Sequence, residues 1–226
     1  MNFAEGEVLL INKPLNWTSF DVVNKLRYAI TKKLGNRIKV GHAGTLDPLA
    51  TGLLIICTGK MTKRIDEFSG MDKEYTGTFF IGATTPTYDS EMEPDAVFSI
   101  DHIDGKLIKE TQQKFMGVME QMPPIYSAIK IDGKTAYQQA RKGKEMEMKT
   151  RTIEIKEFEL TRIAMPEIDF RAVCSKGTYI RSLAFDFGKA LNSGGYLKSL
   201  CRTKIGTFDL KNSMTVDECV SMISTS

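Results

Sequence analysis

The sequence reads Gly41-His42-Ala43-Gly44-Thr45-Leu46-Asp47-Pro48-Leu49-Ala50-Thr51-Gly52, followed directly by the apolar run Leu53-Leu54-Ile55-Ile56-Cys57. The glycines predict a backbone that is neither helix nor strand, and the apolar run predicts a buried strand. One carboxylate, Asp47, lies in this stretch, and Pro48 follows it. A loop beside a core strand can hold a catalytic acid, but Asp47 can equally cap a backbone amide in an ordinary turn. Taken alone, the pattern favours the turn.

Composition indicates a globular, cytoplasmic protein. The chain has 226 residues, of which 42% are hydrophobic, so it can build a sizeable core. No apolar run approaches the ~20 residues that a membrane-spanning helix needs. The N-terminus lacks the basic start of a signal peptide, and the four cysteines include no Cys-x-x-Cys pair. We therefore expect reduced cysteines in the cytoplasm and no membrane association.

Several cofactor classes are excluded by missing motifs. The only histidines are His42 and His102, which is too few for a His-rich metal site or for an ordinary Ser-His-Asp arrangement. The P-loop pattern fails because Leu54 stands where glycine is required and Met61 follows Gly59-Lys60. No G-x-G-x-x-G occurs. We expect no metal site and no nucleotide or nicotinamide cofactor.

Charge is unevenly distributed along the chain. The net charge is +3, yet residues 81–125 carry eight acidic and three basic groups, and the regions on either side are net basic. Such a distribution predicts a positive face for a polyanionic partner, although ordinary solvated lysines would give the same count.

Periodicity and turn signals predict an α+β fold with a mixed, largely antiparallel central sheet flanked by helices. Thr18 or Ser19 can cap the first helix. Helices are predicted over 20–33, 106–116, 135–142, 179–191 and 216–223. Strands are predicted over 7–11, 53–57, 74–81, 127–131, 151–163, 167–174 and 206–210. Residues 84–105, rich in turns and acids, are predicted to form a surface excursion.

Six motifs in order carry a resemblance to a known family. They are Asn12-Lys13-Pro14 with Thr18-Ser19 after it, the stretch from Gly41 to Gly52, Lys73-Glu74-Tyr75, Gln121-Met122-Pro123-Pro124 with Tyr126-Ser127-Ala128-Ile129-Lys130, Ala140-Arg141-Lys142-Gly143, and Cys174-Ser175-Lys176-Gly177-Thr178-Tyr179-Ile180-Arg181-Ser182-Leu183. With this set the chain resembles the TruB family of bacterial tRNA pseudouridine-55 synthases over about residues 8–210.

The resemblance implies the pseudouridine synthase catalytic fold for residues 1–226, with an RNA-gripping thumb at about 126–151. The family usually carries a further RNA-binding domain of PUA type at its C-terminus. Here the chain ends about fifteen residues after the last predicted strand, too few for a domain. We expect a short form or a truncated chain.

The implied reaction is an isomerisation of uridine, which needs a nucleophile and no cofactor. The resemblance assigns that nucleophile to Asp47; attack at C1′, attack at C6 and assistance of a glycal route all remain open. It assigns to Arg181 the cation that keeps Asp47 ionised in a dry pocket. Without the resemblance, Arg181 would be interpreted as one partner of a surface ion pair on a helix.

The resemblance also implies a pocket for a flipped base. Tyr75 would stack on that base. Tyr179 would form a hydrogen bond with it and remove the C5 proton. Leu200 would form an apolar wall, and His42 would contact RNA where the base has left. The alternatives are a core aromatic for Tyr75 and a satisfied structural histidine for His42.

The implied partner is tRNA, bound at its T stem-loop by a monomer. Candidate phosphate or pocket contacts are Lys13, Lys63 and Arg202, and the basic thumb adds Arg141 and Lys142. The contacts of the thumb should be salt-sensitive, because they go mainly to backbone phosphates. The approach of RNA backbone would also explain the glycines around Asp47.

Two other function classes remain as hypotheses. A noncatalytic tRNA-folding chaperone could use the same scaffold, but the joint presence of Asp47, Tyr75, Tyr179 and Arg181 favours the enzyme. A carboxylate hydrolase would need a second catalytic acid near Asp47, which no motif supplies.

Overall fold

A computed structural model describes residues 1–127, 130–131, 134–135 and 148–225. Its α-helices are α1 (Ser19–Leu34), α2 (Ile65–Gly70), α3 (Gly105–Lys114), α4 (Ile180–Ala190) and α5 (Val216–Thr225). The strands are β1 (Val8–Lys13), β2 (Val40–Ala43), β3 (Ala50–Thr58), β4 (Lys73–Ile81), β5 (Ala83–Thr84), β6 (Ala96–Val97), β7 (Gly117–Gln121), β8 (Lys130–Ile131), β9 (Lys134–Thr135), β10 (Arg151–Ala164), β11 (Glu167–Cys174), β12 (Gly195–Ile205), β13 (Phe208–Asp209) and β14 (Met214–Thr215). The described residues form two compact units, divided within β4 and β12.

The first unit contains residues 1–76 and the chain from Leu200 onward. Its strand order is β14-β1-β3-β12, with β2 paired to β3 and β13 paired to β12. The pairs β1–β14 and β3–β12 are parallel, and the pairs β1–β3, β2–β3 and β12–β13 are antiparallel. The sheet is therefore mixed and largely antiparallel, as predicted.

Helix α1 begins and ends at clear local signals. Thr18 forms a capping box with Asp21, and Gly35, in the left-handed conformation, ends the helix. Its apolar residues recur at helical spacing and pack in one buried cluster with β1, β3 and α5. The prediction of a helix over 20–33 is confirmed.

The second unit, residues 77–199, is built on the strand order β4-β11-β10-β7. An aromatic cluster fills its core: the Phe79 and Phe170 rings stack with centroids 4.2 Å apart, and Phe158 and Phe187 pack against them. Phe187 belongs to α4, so this cluster fixes the helix that follows Tyr179.

Two sequence predictions are wrong. Gly41-His42-Ala43 lies in β2, and the stretch from Ala50 to Gly52 begins β3, although the glycines predicted neither helix nor strand. The strand predicted over 206–210 is wrong in its bounds: only Phe208–Asp209 forms a strand, β13, which pairs with the end of β12 (Gly195–Ile205), a long strand that sequence reasoning missed.

Other predictions need smaller adjustment. The helix predicted over 106–116 spans Gly105–Lys114, and β7 begins at Gly117, which sequence reasoning missed. The strands over 151–163 and 167–174 and the helix over 216–223 are confirmed to within two residues. The helix predicted over 135–142 lies outside the described residues, apart from Thr135, which is in β9.

Candidate active site

Asp47 lies in the segment that connects β2 to β3; we call residues 44–50, which include Ala50 as the first residue of β3, the Asp47 loop. The backbone turns back at its end, where the Ala50 N–H donates to the Asp47 carbonyl oxygen over 3.1 Å. Because β3 is almost entirely buried, it provides a rigid support for this turn.

Ser19 fixes the middle of the Asp47 loop. Its hydroxyl oxygen accepts from the Leu46 N–H over 2.8 Å and donates to the Leu46 carbonyl over 3.0 Å. Thr18 supplies the helix cap, so the Ser19 side chain is available for this contact. Ser19 and Leu46 are both buried, and the position next to Asp47 is therefore closely defined.

The register of the first unit aligns two basic residues on either side of one glycine. Gly52 on β3 pairs with Lys13 on β1 and with Arg202 on β12. At Gly52, φ is +102°, and an added Cβ would lie 2.3 Å from the Arg202 carbonyl oxygen. Here the close neighbour that requires glycine is the chain's own backbone.

Lys13 is fully buried and points its ammonium group at backbone carbonyls. Its Nζ donates to Trp17 O over 2.5 Å, to Pro14 O over 3.0 Å and to Pro48 O over 3.4 Å. Burial lowers the pKa of Lys13 to about 8; the negative charge of Asp47 opposes that shift and the positive charge of Arg202 adds to it. Lys13, predicted as an RNA contact, thus lies beneath the Asp47 loop.

Arg202 is the second buried cation of this region and is only 1% exposed. Its Nε donates to Leu53 O over 2.8 Å, and its Nη2 donates to Gly44 O over 3.0 Å. The guanidinium group thereby ties the start of the Asp47 loop to β3. Like Lys13, it is directed at the protein's own backbone and not at solvent, where a phosphate would approach.

His42 lies on β2, opposite Ile56, and is half-buried. Within the described part of the chain its Nδ1 is buried and has no hydrogen-bond partner. Burial, together with the positive charge of Arg202, lowers the pKa of His42. Both effects favour the neutral ring, which can offer a nitrogen to a ligand without adding charge.

The remaining candidates of the first unit differ in exposure. Tyr75 lies on β4 and is 8% exposed. This burial is compatible with a core aromatic and with an aromatic in the wall of a pocket. Leu200 is half-buried on β12, paired in register with Ala50 at the end of the Asp47 loop. Lys63 is exposed in the short 3₁₀ helix Gly59–Arg64.

Arg181, in the second unit, is 6% exposed, so it is not the surface ion-pair residue of the alternative interpretation. Its Nε lies 3.7 Å from Asp89 Oδ2, and its two terminal nitrogens donate to Thr87 O and Tyr126 O over 3.1 and 2.9 Å. Asp89 also accepts from the Thr87 hydroxyl over 2.6 Å. A buried guanidinium is thus held in a fixed orientation.

Tyr179 immediately precedes α4 and is held by two residues, Gln121 and Arg151. The Tyr179 N–H donates to Gln121 Oε1 over 2.8 Å, and Gln121 Nε2 donates to the Tyr179 carbonyl over 3.1 Å. The Arg151 guanidinium carbon lies 5.2 Å from the centre of the Tyr179 ring. We call Gln121, Arg151 and Tyr179 the Tyr179 clamp.

Sequence reasoning missed Ser19, Gln121, Arg151 and Asp89 as contributors. Ser19 and Gln121 stand in motifs that carry the resemblance, so their place in those motifs was an available signal. Asp89 lies in the acidic excursion, where composition alone gives it no role. Arg141 and Lys142 lie outside the described residues.

Neither a metal cluster nor a membrane helix is found in the part of the chain that the structure describes. There, no group of three or more His, Cys, Asp or Glu side chains is arranged to hold a metal ion. None of the helices among those residues is long and apolar enough to cross a membrane.

Comparison with known proteins now adds to this geometry. The family description "TruB family pseudouridylate synthase (N terminal domain)" matches residues 31–180. A Flavobacterium johnsoniae protein named tRNA pseudouridine synthase B is 61% identical over 216 residues, which cover 95% of this chain and 94% of the relative. A Phocaeicola vulgatus protein of the same name is 57% identical, over 96% of this chain and 93% of that protein.

A solved structure has a similar fold. One chain in the crystal structure of a Cbf5-Nop10-Gar1 complex superposes with a TM-score of 0.72 at 27% identity, over 98% of this chain and 55% of that chain. The fold is therefore that of the pseudouridine synthases, a class of isomerases. Within that class, the chain belongs to the TruB family of pseudouridylate synthases, which confirms the resemblance.

Proposed function

We propose that this chain is a tRNA pseudouridine synthase that converts the T-loop uridine, uridine-55, into pseudouridine. The observation that carries the proposal is the Asp47 loop in a chain of the TruB family: one carboxylate on a turn anchored by two buried cations. The names of relatives at 57–61% identity supply tRNA as the substrate class.

The proposed chemistry needs an ionised carboxylate. Attack at C1′, attack at C6 and a glycal route all start from Asp47 without its proton. Lys13 and Arg202 place positive charge at this loop, and such charge favours the ionised form of a carboxylate. Arg181 is proposed as a further cation for Asp47, oriented through Asp89 and two carbonyls.

The base must then leave and return through another atom. The N1–C1′ bond breaks, the uracil turns, and a C5–C1′ bond forms. The C5 proton passes to the Tyr179 oxygen as the phenol gives up its own proton to solvent, and N1 gains a proton from solvent, so atoms and electrons balance with no cofactor. Tyr75 is proposed to stack on the flipped base, with Leu200 as an apolar wall of the pocket.

The proposed RNA contacts lie outside this centre. Lys63 is exposed and available to a phosphate, and neutral His42 is proposed to contact RNA where the base has left. The thumb at 126–151, with Arg141 and Lys142, is proposed to grip the backbone of the T stem-loop. We propose that the protein acts in the cytoplasm as a monomer.

Incubation with an unmodified tRNA transcript, followed by site-resolved detection of pseudouridine, tests the proposal. Wild type should modify the T-loop uridine and leave a transcript with cytidine at that position unchanged. Asp47→Asn should lower the rate on the order of 10⁴-fold or more while tRNA binding is retained. Asp66→Asn, at an exposed carboxylate of α2, is the matched control and should keep full activity.

Two results would contradict this proposal. Undiminished product from Asp47→Asn would show that the reaction does not require the Asp47 carboxylate. Tight tRNA binding by wild type without any pseudouridine would favour the folding chaperone instead.

A further inference from the structure

We infer that Gln121 and Arg151 are positioning residues that together aim the Tyr179 ring at the reacting base. This inference rests on the proposed function, because it presumes that the Tyr179 hydroxyl acts there. Nothing in the sequence motifs assigns a role to either residue. The inference stands on the geometry of the Tyr179 clamp.

Gln121 binds the backbone of Tyr179 at both of its polar groups. The side-chain amide accepts from the Tyr179 N–H over 2.8 Å and donates to the Tyr179 carbonyl over 3.1 Å. Gln121 is 2% exposed, so water does not replace these bonds readily. A single amide thereby imitates the pairing of a neighbouring β-strand.

Arg151 acts on the other part of the same residue. It pairs with Gln121 in register between β7 and β10, and its guanidinium carbon lies 5.2 Å from the centre of the Tyr179 ring. Two residues paired across neighbouring strands, Gln121 and Arg151, thus hold the Tyr179 backbone and contact the face of its ring.

Tyr179 needs such support because of its place in the chain. It stands in extended conformation as the N-cap residue of α4, and its side chain makes no capping bond. A rotation of about 10° at its Cα would move the phenol oxygen by about 1 Å, and an error of that size can cost about 100-fold in rate. Ser182 in α4 also donates to Met122 O over 2.7 Å, which ties the helix to the residue after Gln121.

Gln121→Leu removes both hydrogen bonds at similar side-chain volume. At saturating tRNA, the single-turnover rate should fall about 30- to 100-fold, while the Kd for tRNA changes less than about threefold. Gln121→Glu retains the acceptor for the Tyr179 N–H, but its ionised carboxylate cannot donate to the carbonyl; it should lose about tenfold. Gln112→Leu on α3 removes a Gln side-chain bond to Phe158 O on β10; it is the matched control for lost stability and should keep the wild-type rate.

A double-mutant cycle separates positioning from general destabilisation. In Tyr179→Phe, which has no hydroxyl to aim, adding Gln121→Leu should lower the rate by no more than about twofold. A merely structural role would lower it again by the full factor. Arg151→Lys should retain more activity than Arg151→Met, because only the lysine keeps a cation at the ring.

The outcomes are distinguishable. Wild type that forms no pseudouridine contradicts the proposed function. An active wild type with Gln121→Leu at full rate, or with additive losses in the cycle, overturns the inference. If Gln121→Leu does not fold, Gln121→Glu decides: a rate within twofold of wild type overturns the inference, and a loss near tenfold with unchanged Kd supports it.

Discussion

The Asp47 loop and the Tyr179 clamp hold their central residues by different means. At the Asp47 loop, two buried cations and one hydroxyl bind backbone groups of residues 44–50. At the Tyr179 clamp, a neutral amide binds the backbone and the cation lies against the ring. In both places the side chain that the proposed chemistry requires is not itself the anchor.

The difference follows from the charge that each residue must carry. A carboxylate must stay ionised, and cations beneath its loop favour that state while they fix the backbone. The proton transfer proposed for Tyr179 needs no cation beneath its backbone, so a neutral amide is enough to hold that backbone. The backbone is therefore held mainly by charged side chains at the Asp47 loop and by a neutral amide at the Tyr179 clamp.

The strongest way to break the charged anchoring is Arg202→Met. Its two charge-assisted bonds to Leu53 O and Gly44 O would be lost and the carbonyls left buried, so the free energy of unfolding should fall by about 4 kcal/mol. Urea denaturation measures this. Arg37→Met, at an exposed arginine, should change it by less than about 0.5 kcal/mol, and equal effects of the two substitutions would contradict the anchoring role.

The buried ammonium group of Lys13 should make the free energy of unfolding depend on pH. Its pKa is about 8 in the folded chain and near 10.5 when unfolded, so between these values the unfolded chain holds a proton that the folded chain has released. The free energy of unfolding therefore rises with pH in this window. Relative to Lys13→Met, wild type should gain about 2 kcal/mol between pH 7.5 and 10.

Paired denaturation series of wild type and each variant measure that gain. Lys25→Met, at an exposed lysine of α1, is the control and should run parallel to wild type. If the series for Lys13→Met also runs parallel to wild type, folding does not lower the pKa of Lys13, and the prediction is wrong.

The smallest of these effects concerns the neutral contact of the Asp47 loop. Ser19→Ala leaves the Leu46 N–H and carbonyl without their hydroxyl partner and should cost about 1.5 kcal/mol of unfolding free energy, with a loss of turnover. Ser213→Ala removes one local bond to Leu210 O and should cost less, with turnover unchanged. Equal turnover in the two variants would show that the Asp47 loop does not depend on Ser19.

Elements with local signals were predictable from sequence. Helix α1 carries its caps and its apolar spacing within the chain segment itself, and β10 and β11 show their own alternation. Strand β2 was missed because Gly41 argues against a strand locally, and its strand form depends on pairing with β3. Register with distant strands is not encoded in any short window.

The candidate site likewise contains residues that could be predicted from sequence and contacts that could not. Asp47, Tyr75, Tyr179 and Arg181 could be named because they stand in recognisable motifs, and their roles remain predictions. The contacts of Lys13 and Arg202 could not be foreseen, because burial turns both side chains toward backbone carbonyls. Ser19 and Gln121 act on residues 27 and 58 positions away, which no spacing rule connects.

The bond between Ser19 and Leu46 has a consequence for how the loop opens. The Leu46 amide hydrogen is held by a hydroxyl at the start of α1 and not by a neighbouring strand. Its exchange with deuterated solvent therefore requires local release of the Asp47 loop, whereas amides within β3 wait for the sheet to open. This one amide is a built-in reporter of how often the segment carrying Asp47 leaves its working position.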